Sequence, residues 1–495
     1  MNLLKYKSTR GGQSGISPSQ AIVQGIAKDG GLFVPETLPK LECSLEELKG
    51  MTYQELAYHI MKHFLTDFTE EELKGCIDKA YDKKFDTSKI APLVKKDDVY
   101  FLELFHGPTL AFKDMALSIL PHLLTTAAKK LNIEKEIVIL TATSGDTGKA
   151  ALEGFADVEG TKIIVFFPQD GVSEVQKRQM TTQVGENTYV IGIKGNFDDA
   201  QNGVKEIFGD AEFNKYLNDN NYMLSSANSI NIGRLVPQVV YYFYAYLQMV
   251  ESKDITIGEP VNVVVPTGNF GNILAAYYAK QMGLPIGKLI CASNDNKVLY
   301  DFFNTGKYDK DREFILTISP SMDILISSNL ERLIYQIAGE DANKTKELMD
   351  NLKAKGHYEI NPSMKEKLAD FYGGFASQED TLLRIKELFE STGYLIDTHT
   401  AVAYAVYKDY VNKTKDTTKT VIASTASPYK FTTSVMGAVD KKYEAFSDFE
   451  LIEKMSELTK IDIPEGIKDI DKRPVLHTKV CEKNEMKKVV GEILK

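Results

Sequence analysis

The middle of the chain alternates short apolar runs with amphipathic stretches of helical period. From about Glu136 the apolar runs are EIVILTA, TKIIVFFP, TYVIGI and YMLSSA. Strands that are apolar throughout are typical of a parallel sheet that helices cover on both faces. The pattern therefore predicts a first α/β unit.

A second set of apolar runs follows the long apolar helix LVPQVVYYFYAYLQMV. These runs are VNVVVPT, KLICAS and KTVIAST. They predict a second α/β unit, so the fold class is α/β with two units and mostly parallel sheets. We place the smaller unit in residues 96–235 and the larger one in residues 236–495.

Two further regions are predicted to be mostly helical. Residues 1–95 contain amphipathic stretches that begin at Ser44 and Thr69, which are good N-cap residues. We expect a peripheral N-terminal helical domain there. A helical insertion rich in lysine and glutamate is predicted near residues 328–392, without recognisable site residues.

Composition narrows the functional class. The chain has 495 residues, an apolar fraction of 43% and a formal net charge of −10. An acidic balance argues against nucleic-acid or anionic-membrane partners, which need clustered Lys and Arg. The N-terminus lacks the apolar core of a signal peptide, and no apolar run reaches eighteen residues. We therefore expect cytoplasmic small-molecule chemistry.

Cysteine and histidine spacing predicts no metal site. The four cysteines lie far apart and form no CxxC pair. His59 and His63 have the spacing of metal ligands on one helix face, but Ile60 replaces the glutamate of the H-E-x-x-H motif. We interpret both histidines as structural.

Three loops lie where α/β proteins bind ligands, between a strand and the next helix. The first, TATSGDTGK (141–149), can direct backbone N–H groups to an anion. It is not a Walker A loop, because Thr143 replaces the first glycine and Ala150 follows Lys149. The second, PTGNFGN (266–272), offers Gly268 and Gly271 for close approach and positive φ, and lacks the dinucleotide spacing. We predict a phosphate site there. In the third, Ser424 and Thr425 end a strand.

Lys113 follows an aromatic residue in HGPTLAFKD, just before a helix, and a solvated helix lysine is the alternative interpretation. With the anion-binding loops, this lysine resembles that of pyridoxal-phosphate enzymes of fold type II, the tryptophan synthase β type. The chain more narrowly resembles the threonine synthase family, whose motifs occur in the family's order: YKSTRG, DGGLFVPETLP, HGPTLAFKD, TATSGDTG, NSINIGR, PTGNFGN, DTHTAVAY and STASPYKF. HGPTLAFKD beside SGDTG is the most specific part.

The resemblance implies roles by position. Lys113 is the expected Schiff-base lysine, and Thr425 faces the pyridine nitrogen of pyridoxal 5'-phosphate. The cofactor phosphate is expected to bind Gly268, Asn269, Phe270, Gly271 and Asn272. The substrate carboxylate is expected at Ser144, Asp146 and Thr147, with Asp146 also near the cofactor's phenolic oxygen. The substrate phosphate is expected at Asn228, Ser229 and Arg234, and the alternative for Arg234 is an ion pair with an acidic surface residue. His106 is expected to be a further substrate-binding residue because of its place beside the lysine loop.

The chain departs from the family pattern at two places. Fold type II enzymes commonly have asparagine where Asp146 stands, so the protonation state and role of Asp146 stay open. The last motif commonly reads TAHPAKF, whereas this chain has Ser427 and Tyr429. The role of His399 in DTHTAV also stays open: it is either a catalytic histidine or a capped histidine of the core.

The implied reaction converts O-phospho-L-homoserine and water to L-threonine and phosphate. Another fold type II lyase, such as threonine dehydratase or cysteine synthase, is the nearer alternative. Neither of these lyases needs a second phosphate site, so the NSINIGR motif distinguishes the threonine synthase family from them. The alternatives of another class are a nicotinamide- or nucleotide-binding protein that uses the Gly-rich loops and a non-catalytic phosphometabolite sensor. We expect a monomer or homodimer, with no nucleic acid and no membrane as partner.

Overall fold

A computed structural model describes residues 3–143, 145–169 and 172–495. Its strands are β1 (Tyr6–Ser8), β2 (Phe33–Pro35), β3 (Leu93–Lys96), β4 (Val99–Glu103), β5 (Glu136–Ala142), β6 (Thr161–Pro168), β7 (Thr188–Lys194), β8 (Tyr222–Ser225), β9 (Val261–Pro266), β10 (Ile286–Ser293), β11 (Lys307–Asp309), β12 (His357–Glu359), β13 (Phe371–Phe375), β14 (Thr420–Ser424) and β15 (Val480–Glu482).

Its helices are α1 (Pro18–Gln24), α2 (Leu45–Leu48), α3 (Tyr53–Met61), α4 (Glu70–Ala80), α5 (Asp114–Leu117), α6 (Leu120–Lys130), α7 (Asp146–Phe155), α8 (Glu174–Thr181), α9 (Phe197–Gly209), α10 (Ala211–Asp219), α11 (Ile232–Glu251), α12 (Gly271–Met282), α13 (Val298–Thr305), α14 (Leu330–Ile337), α15 (Ala342–Lys355), α16 (Pro362–Glu366), α17 (Gln378–Thr392), α18 (Thr398–Thr414), α19 (Thr432–Val439), α20 (Asp448–Thr459) and α21 (Met486–Ile493). Short 3₁₀ turns lie at Pro320–Met322, Pro428–Lys430, Lys441–Ala445 and Lys483–Glu485.

Two separate sheets confirm the predicted α/β class. The larger has the order β13-β10-β9-β14-β4-β3 and is parallel except for the edge strand β3. The smaller has the order β15-β7-β6-β5-β8 and is parallel throughout. The apolar runs predicted as strands all form strands of these two sheets.

Sheet membership differs from the predicted domain boundaries at two strands. β4, placed in the smaller unit, pairs with β14 of the larger sheet. β15, placed in the larger unit, pairs with β7 of the smaller sheet. Pairing between strands distant in sequence depends on tertiary packing, which local patterns do not report.

Both faces of each sheet are buried, as the apolar strands require. In β5, Ile137 and Ile139 join the central core cluster, whereas Val138 and Leu140 join a second cluster under α9 and α21. Successive side chains of a strand point to opposite faces, so one strand serves two cores. The central cluster also contains Val263 of β9 and therefore connects the two sheets.

The N-terminal region is not peripheral. Ser44 and Thr69 are N-caps with capping boxes, as predicted. However, Tyr53, Leu56 and Ile60 lie in the same core cluster as the buried residues of both sheets. The insertion also differs from prediction, because it contributes β13 to the edge of the larger sheet.

The sheets bring the predicted loops to common edges. β9, β14 and β4 are neighbours in the larger sheet and end in the PTGNFGN, STASPYKF and HGPTLAFKD segments. β5 and β8 are neighbours in the smaller sheet and end in the SGDTG and NSINIGR segments. Parallel strands place their carboxyl ends at one edge, where open α/β sheets bind ligands. None of the helices in the described ranges is long and apolar enough to cross a membrane.

Candidate active site

Lys113 stands at the entrance to α5, between the ends of β4 and β14. The segment before it crosses to β14, where Phe112 N donates to Thr425 O at 2.8 Å and Ala111 bridges to Ala426. The Lys113 side chain is only 12% exposed. The alternative of a solvated helix lysine is therefore wrong, and Lys113 and buried Thr425 lie in adjoining segments.

The Lys113 amine has two polar neighbours. Nζ donates to Ser321 Oγ at 3.2 Å and lies 3.7 Å from Asp146 Oδ2. Burial lowers the pKa of Lys113, Asp146 opposes this shift, and the charges of Lys430 and Arg234 lower the pKa further. The pKa is below its usual value, which favours the neutral amine needed for nucleophilic attack.

The SGDTG loop places Asp146 at the first residue of α7. The Thr143 hydroxyl accepts from Gly145 N at 3.0 Å and Gly148 N at 2.9 Å, which closes the turn. Gly145 has φ of +139°, and a β carbon there would lie 2.6 Å from Gln176. Thr147 follows in the first helical turn and is half-buried. The predicted substrate ligand Ser144 lies outside the described residues.

Asp146 is a buried carboxylate between two lysines. Its Oδ1 lies 2.9 Å from Lys430 Nζ and accepts from Gln176 Nε2 at 3.0 Å, whereas Oδ2 accepts from Ser321 Oγ at 3.2 Å. Burial alone would raise the pKa of Asp146, but the charges of Lys430 and Lys113 outweigh it and hold this pKa well below its usual range. The protonation state left open by the sequence is therefore the ionised one.

The PTGNFGN loop differs in detail from prediction. The residue with positive φ is Phe270 (+62°), and neither Gly268 nor Gly271 has a left-handed backbone. Gly268 does serve close approach, since a β carbon there would lie 2.6 Å from Ser321 O. The group that approaches Gly268 is thus the chain's own backbone, at Ser321. Asn269 O accepts from Asn329 N and Asn329 Nδ2, which hold the loop in place.

This loop has the donors that a phosphate needs. α12 begins at Gly271 with no side-chain cap, so the N–H groups of its first turn are available to an anion. Asn272 Oδ1 accepts from the hydroxyls of Tyr241 and Tyr242, and Asn272 Nδ2 is buried without a partner among the described residues. These orphaned donors fit the phosphate of pyridoxal 5'-phosphate.

Arg234 is a buried guanidinium in the first turn of α11. It is 3% exposed, and Nη1 donates to Ala227 O at 2.9 Å. No carboxylate of the described ranges forms an ion pair with it, and Nε is buried without a partner there. Burial lowers the pKa of Arg234 to about 10, which still leaves it charged at neutral pH. The alternative of an arginine paired with a surface acid is thus not supported.

Ser229 lies close to the phosphate loop, but Asn228 is exposed. Asn329 Nδ2 contacts both Ser229 Oγ at 3.2 Å and Asn269 O at 2.9 Å. The NSINIGR and PTGNFGN segments are therefore neighbours, joined by a residue of the region predicted to be a siteless insertion. That expectation was wrong, because polar contacts to the site leave no periodic pattern in a sequence.

The two histidines of interest both have carboxylate partners. His106 Nδ1 lies 2.5 Å from Asp86 Oδ1, and Nε2 lies 2.8 Å from Glu103 Oε2. With both ring nitrogens engaged, His106 offers none to a substrate, so the expected substrate contact is not supported. His399 Nδ1 lies 2.7 Å from Asp397 Oδ2, and Nε2 accepts from Ser321 N at 3.1 Å. His399 thus positions the turn that carries Ser321.

Sequence reasoning missed Ser321 and the role of Lys430. Ser321 contacts Gly268, Lys113, Asp146 and His399 from one short 3₁₀ turn. Asn294 holds this turn by donating to Ser319 Oγ at 3.0 Å and Asp323 Oδ1 at 2.8 Å. A Ser-Pro-Ser turn is common in loops, so the sequence gave no signal that Ser321 belongs to the site. For Lys430 a signal was available, because it lies inside the STASPYKF motif.

Three family models match the chain. "Threonine synthase N terminus" matches residues 5–81, "Pyridoxal-phosphate dependent enzyme" matches 85–427, and "Threonine synthase, C-terminal" matches 400–489. The second of these covers HGPTLAFKD, SGDTG, NSINIGR and PTGNFGN completely, and the first four residues of STASPYKF.

Known proteins are similar over most of the chain. Threonine synthase of Saccharomyces cerevisiae is 37% identical over an alignment of 490 positions, which covers 92% of this chain and 94% of that protein. Threonine synthase-like 1 of Homo sapiens is 43% identical over 437 residues, 86% of this chain, but the chain spans only 58% of that relative. The crystal structure of PLP-bound threonine synthase from Brucella melitensis has a TM-score of 0.88 at 36% identity and covers 99% of this chain and 98% of that one.

Proposed function

Because the chain belongs to the threonine synthase family of pyridoxal-phosphate-dependent enzymes, we propose that it converts O-phospho-L-homoserine and water to L-threonine and phosphate. The reaction removes phosphate from the γ carbon of the substrate and adds water at its β carbon. Threonine dehydratase and cysteine synthase activities are not favoured, since threonine synthase models match both ends of the chain.

The observation that carries this proposal is Arg234. A guanidinium that is 97% buried without a carboxylate among the described residues is costly unless it receives an anion from outside. Guanidinium meets a phosphate with two parallel hydrogen bonds in a fixed geometry. The charge of Arg234 also acts on Lys113, so this anion would lie near the reacting lysine. A substrate that carries its own phosphate meets both conditions.

The geometry of the two sheets supports the proposed cofactor residues. Bound pyridoxal 5'-phosphate supplies an electron sink for proton loss from the carbon atoms next to the substrate amine. Lys113 would hold the cofactor covalently, and the N-terminus of α12 with Asn272 Nδ2 would bind its phosphate. Thr425 would meet the pyridine nitrogen from the end of β14.

The substrate residues lie mainly at the edge of the smaller sheet. The N–H groups of the first turn of α7, with Thr147, would bind the substrate carboxylate. Arg234 and Ser229 would bind the substrate phosphate together with Asn228, which is exposed. These two anion sites orient the α, β and γ carbons toward Lys113.

Lys113 Nζ is the natural carrier for protons of the substrate carbons, because its pKa is lowered and it lies in the centre of the site. Ser321 Oγ, which contacts both Lys113 and Asp146, orients the amine. For His106 we propose a structural role as a charged clamp between Asp86 and Glu103. A cytoplasmic location and a monomeric or homodimeric state stay predictions.

Turnover with defined substrates tests the proposal. The purified protein with pyridoxal 5'-phosphate should release phosphate from O-phosphohomoserine and form threonine in equal amounts. Serine and O-acetylserine serve as matched substrates that lack the phosphate, and they should react far more slowly. Faster reaction with either of them would contradict the assignment in favour of a dehydratase or a cysteine synthase.

A further inference from the structure

Lys430 is a second lysine inside the site. It ends the 3₁₀ turn after β14, and its side chain is fully buried. Nζ lies 2.9 Å from Asp146 Oδ1 and donates to Thr109 O at 2.8 Å and Gln179 Oε1 at 3.3 Å. A buried ammonium needs such a complete set of partners, because desolvation of an unpaired charge costs several kcal/mol.

The two lysines share one carboxylate unequally. Lys430 lies 2.9 Å from Asp146, whereas Lys113 lies 3.7 Å away and directs a hydrogen bond to Ser321. Among the described residues, the other titratable groups around this centre are Arg234 of α11, His399 of α18 and Asp114 of α5. Lys430 is thus the principal counter-ion of Asp146, and Lys113 is the secondary one.

We propose that Lys430 is a positioning residue that occupies Asp146 as its ion-pair partner, so that the Lys113 amine is free to lose its proton and to attach pyridoxal 5'-phosphate. The inference rests on the proposed function, since it concerns the attachment of that cofactor. Attachment joins Lys113 Nζ to the aldehyde carbon and releases the aldehyde oxygen as water. Only an unprotonated amine has the electron pair that begins this step.

The direction of the effect follows from the charges. The charge of Lys430 lowers the pKa of Lys113, and the charge of Asp146 raises it. Without Lys430 this repulsion is lost, and Asp146 is left with Lys113 as its nearest lysine. The pKa of Lys113 should therefore rise when Lys430 is neutralised. Neutralising Asp146 should have the opposite effect.

The experiment measures the rate at which cofactor-depleted protein attaches pyridoxal 5'-phosphate, followed by visible absorbance across a range of pH. Lys430→Met should raise the midpoint of the pH profile by about one unit or more, which means about tenfold slower attachment at a pH below both midpoints. Asp146→Asn should lower the midpoint. Lys149→Met is the matched control, because Lys149 is also buried but pairs with Glu153 and Gln183, and its midpoint should equal that of the wild type.

Lys430→Gln supports the same test if Lys430→Met does not fold. Its amide can still donate to Asp146 or Thr109, so it removes the charge and retains a hydrogen bond. An unchanged or lower midpoint in the Lys430 variant that folds would overturn the inference while leaving the proposed function intact. A wild-type protein that attaches no pyridoxal 5'-phosphate would overturn both.

Discussion

The carbonyl oxygen of Ser321 lies against Gly268, 2.6 Å from the position that a β carbon would take there. Contacts of this kind leave no room for a side chain without movement of the backbone. Because the Ser321 hydroxyl also contacts Lys113, Gly268 couples the phosphate loop to the reacting lysine.

Gly268→Ala, and more so Gly268→Val, should displace the Ser321 turn. We expect a loss of about 1–3 kcal/mol in the free energy of unfolding, as for other overpacked sites. Cofactor affinity should fall at least about tenfold, equivalent to about 1.4 kcal/mol. Titration with pyridoxal 5'-phosphate and urea unfolding measure the two effects.

Gly75→Ala inside α4, where a β carbon meets no atom within 4 Å, is the control and should not lower stability. Unchanged affinity in Gly268→Val would remove this loop from the cofactor site.

Lys113→Ala should abolish turnover and covalent attachment of the cofactor while the protein stays folded. The loss in turnover should be several orders of magnitude, since both attachment and proton transfer depend on one amine. Borohydride reduction followed by mass mapping of the wild type should find the adduct on Lys113. An adduct on Lys149 or Lys430 instead would contradict the assignment.

Arg234→Leu should separate stability from activity. Removing a buried charge that has no carboxylate partner in the described ranges should leave the melting temperature unchanged or raise it. Turnover of O-phosphohomoserine should fall by several orders of magnitude, whereas any slow dehydration of serine or threonine should be spared. Arg332→Leu is the matched control, because buried Arg332 donates to Phe33 O, Ile230 O and Asn329 Oδ1 and serves the fold. It should lower the melting temperature and affect all substrates alike. If Arg234→Leu lowers turnover of O-phosphohomoserine and dehydration of serine or threonine equally, Arg234 is a structural arginine.

The His106 clamp should make stability depend on pH. Burial opposes the charged ring, but Asp86 and Glu103 outweigh burial and raise the pKa of His106 to about 9, compared with about 6.5 in an unfolded chain. The pKa is higher in the folded state, so the stabilisation is complete below about pH 6.5 and is lost as the pH rises toward 9.

Urea unfolding at pH 7 and pH 9 measures this contribution. The wild type should lose on the order of 2 kcal/mol more than His106→Gln over this interval. His122→Gln is the control, because burial lowers the pKa of His122 to about 4 and the ring is neutral throughout. A His106→Gln variant with the same pH dependence as the wild type would refute the charged clamp.

The sequence by itself determined the fold class and the family, and it predicted the loops of the candidate site. Apolar strands such as EIVILTA can be recognised from the sequence alone, because a strand buried on both faces must be apolar throughout. Motifs such as HGPTLAFKD and PTGNFGN are contiguous, so their residues are brought to the site by one turn of backbone. The resemblance to the threonine synthase family is confirmed by matching models over residues 5–81, 85–427 and 400–489.

Only the tertiary structure decided which distant residues meet. Ser321 joins Gly268, Lys113 and His399 across separations of 53 to 208 residues, and Lys430 pairs with Asp146 across 284 residues. Likewise, β4 pairs in the larger sheet and β15 pairs in the smaller sheet, each outside the unit in which it was predicted. The physical reason is that long-range polar contacts and strand pairing depend on how the two sheets pack, whereas sequence periodicity reports only which face of an element is buried.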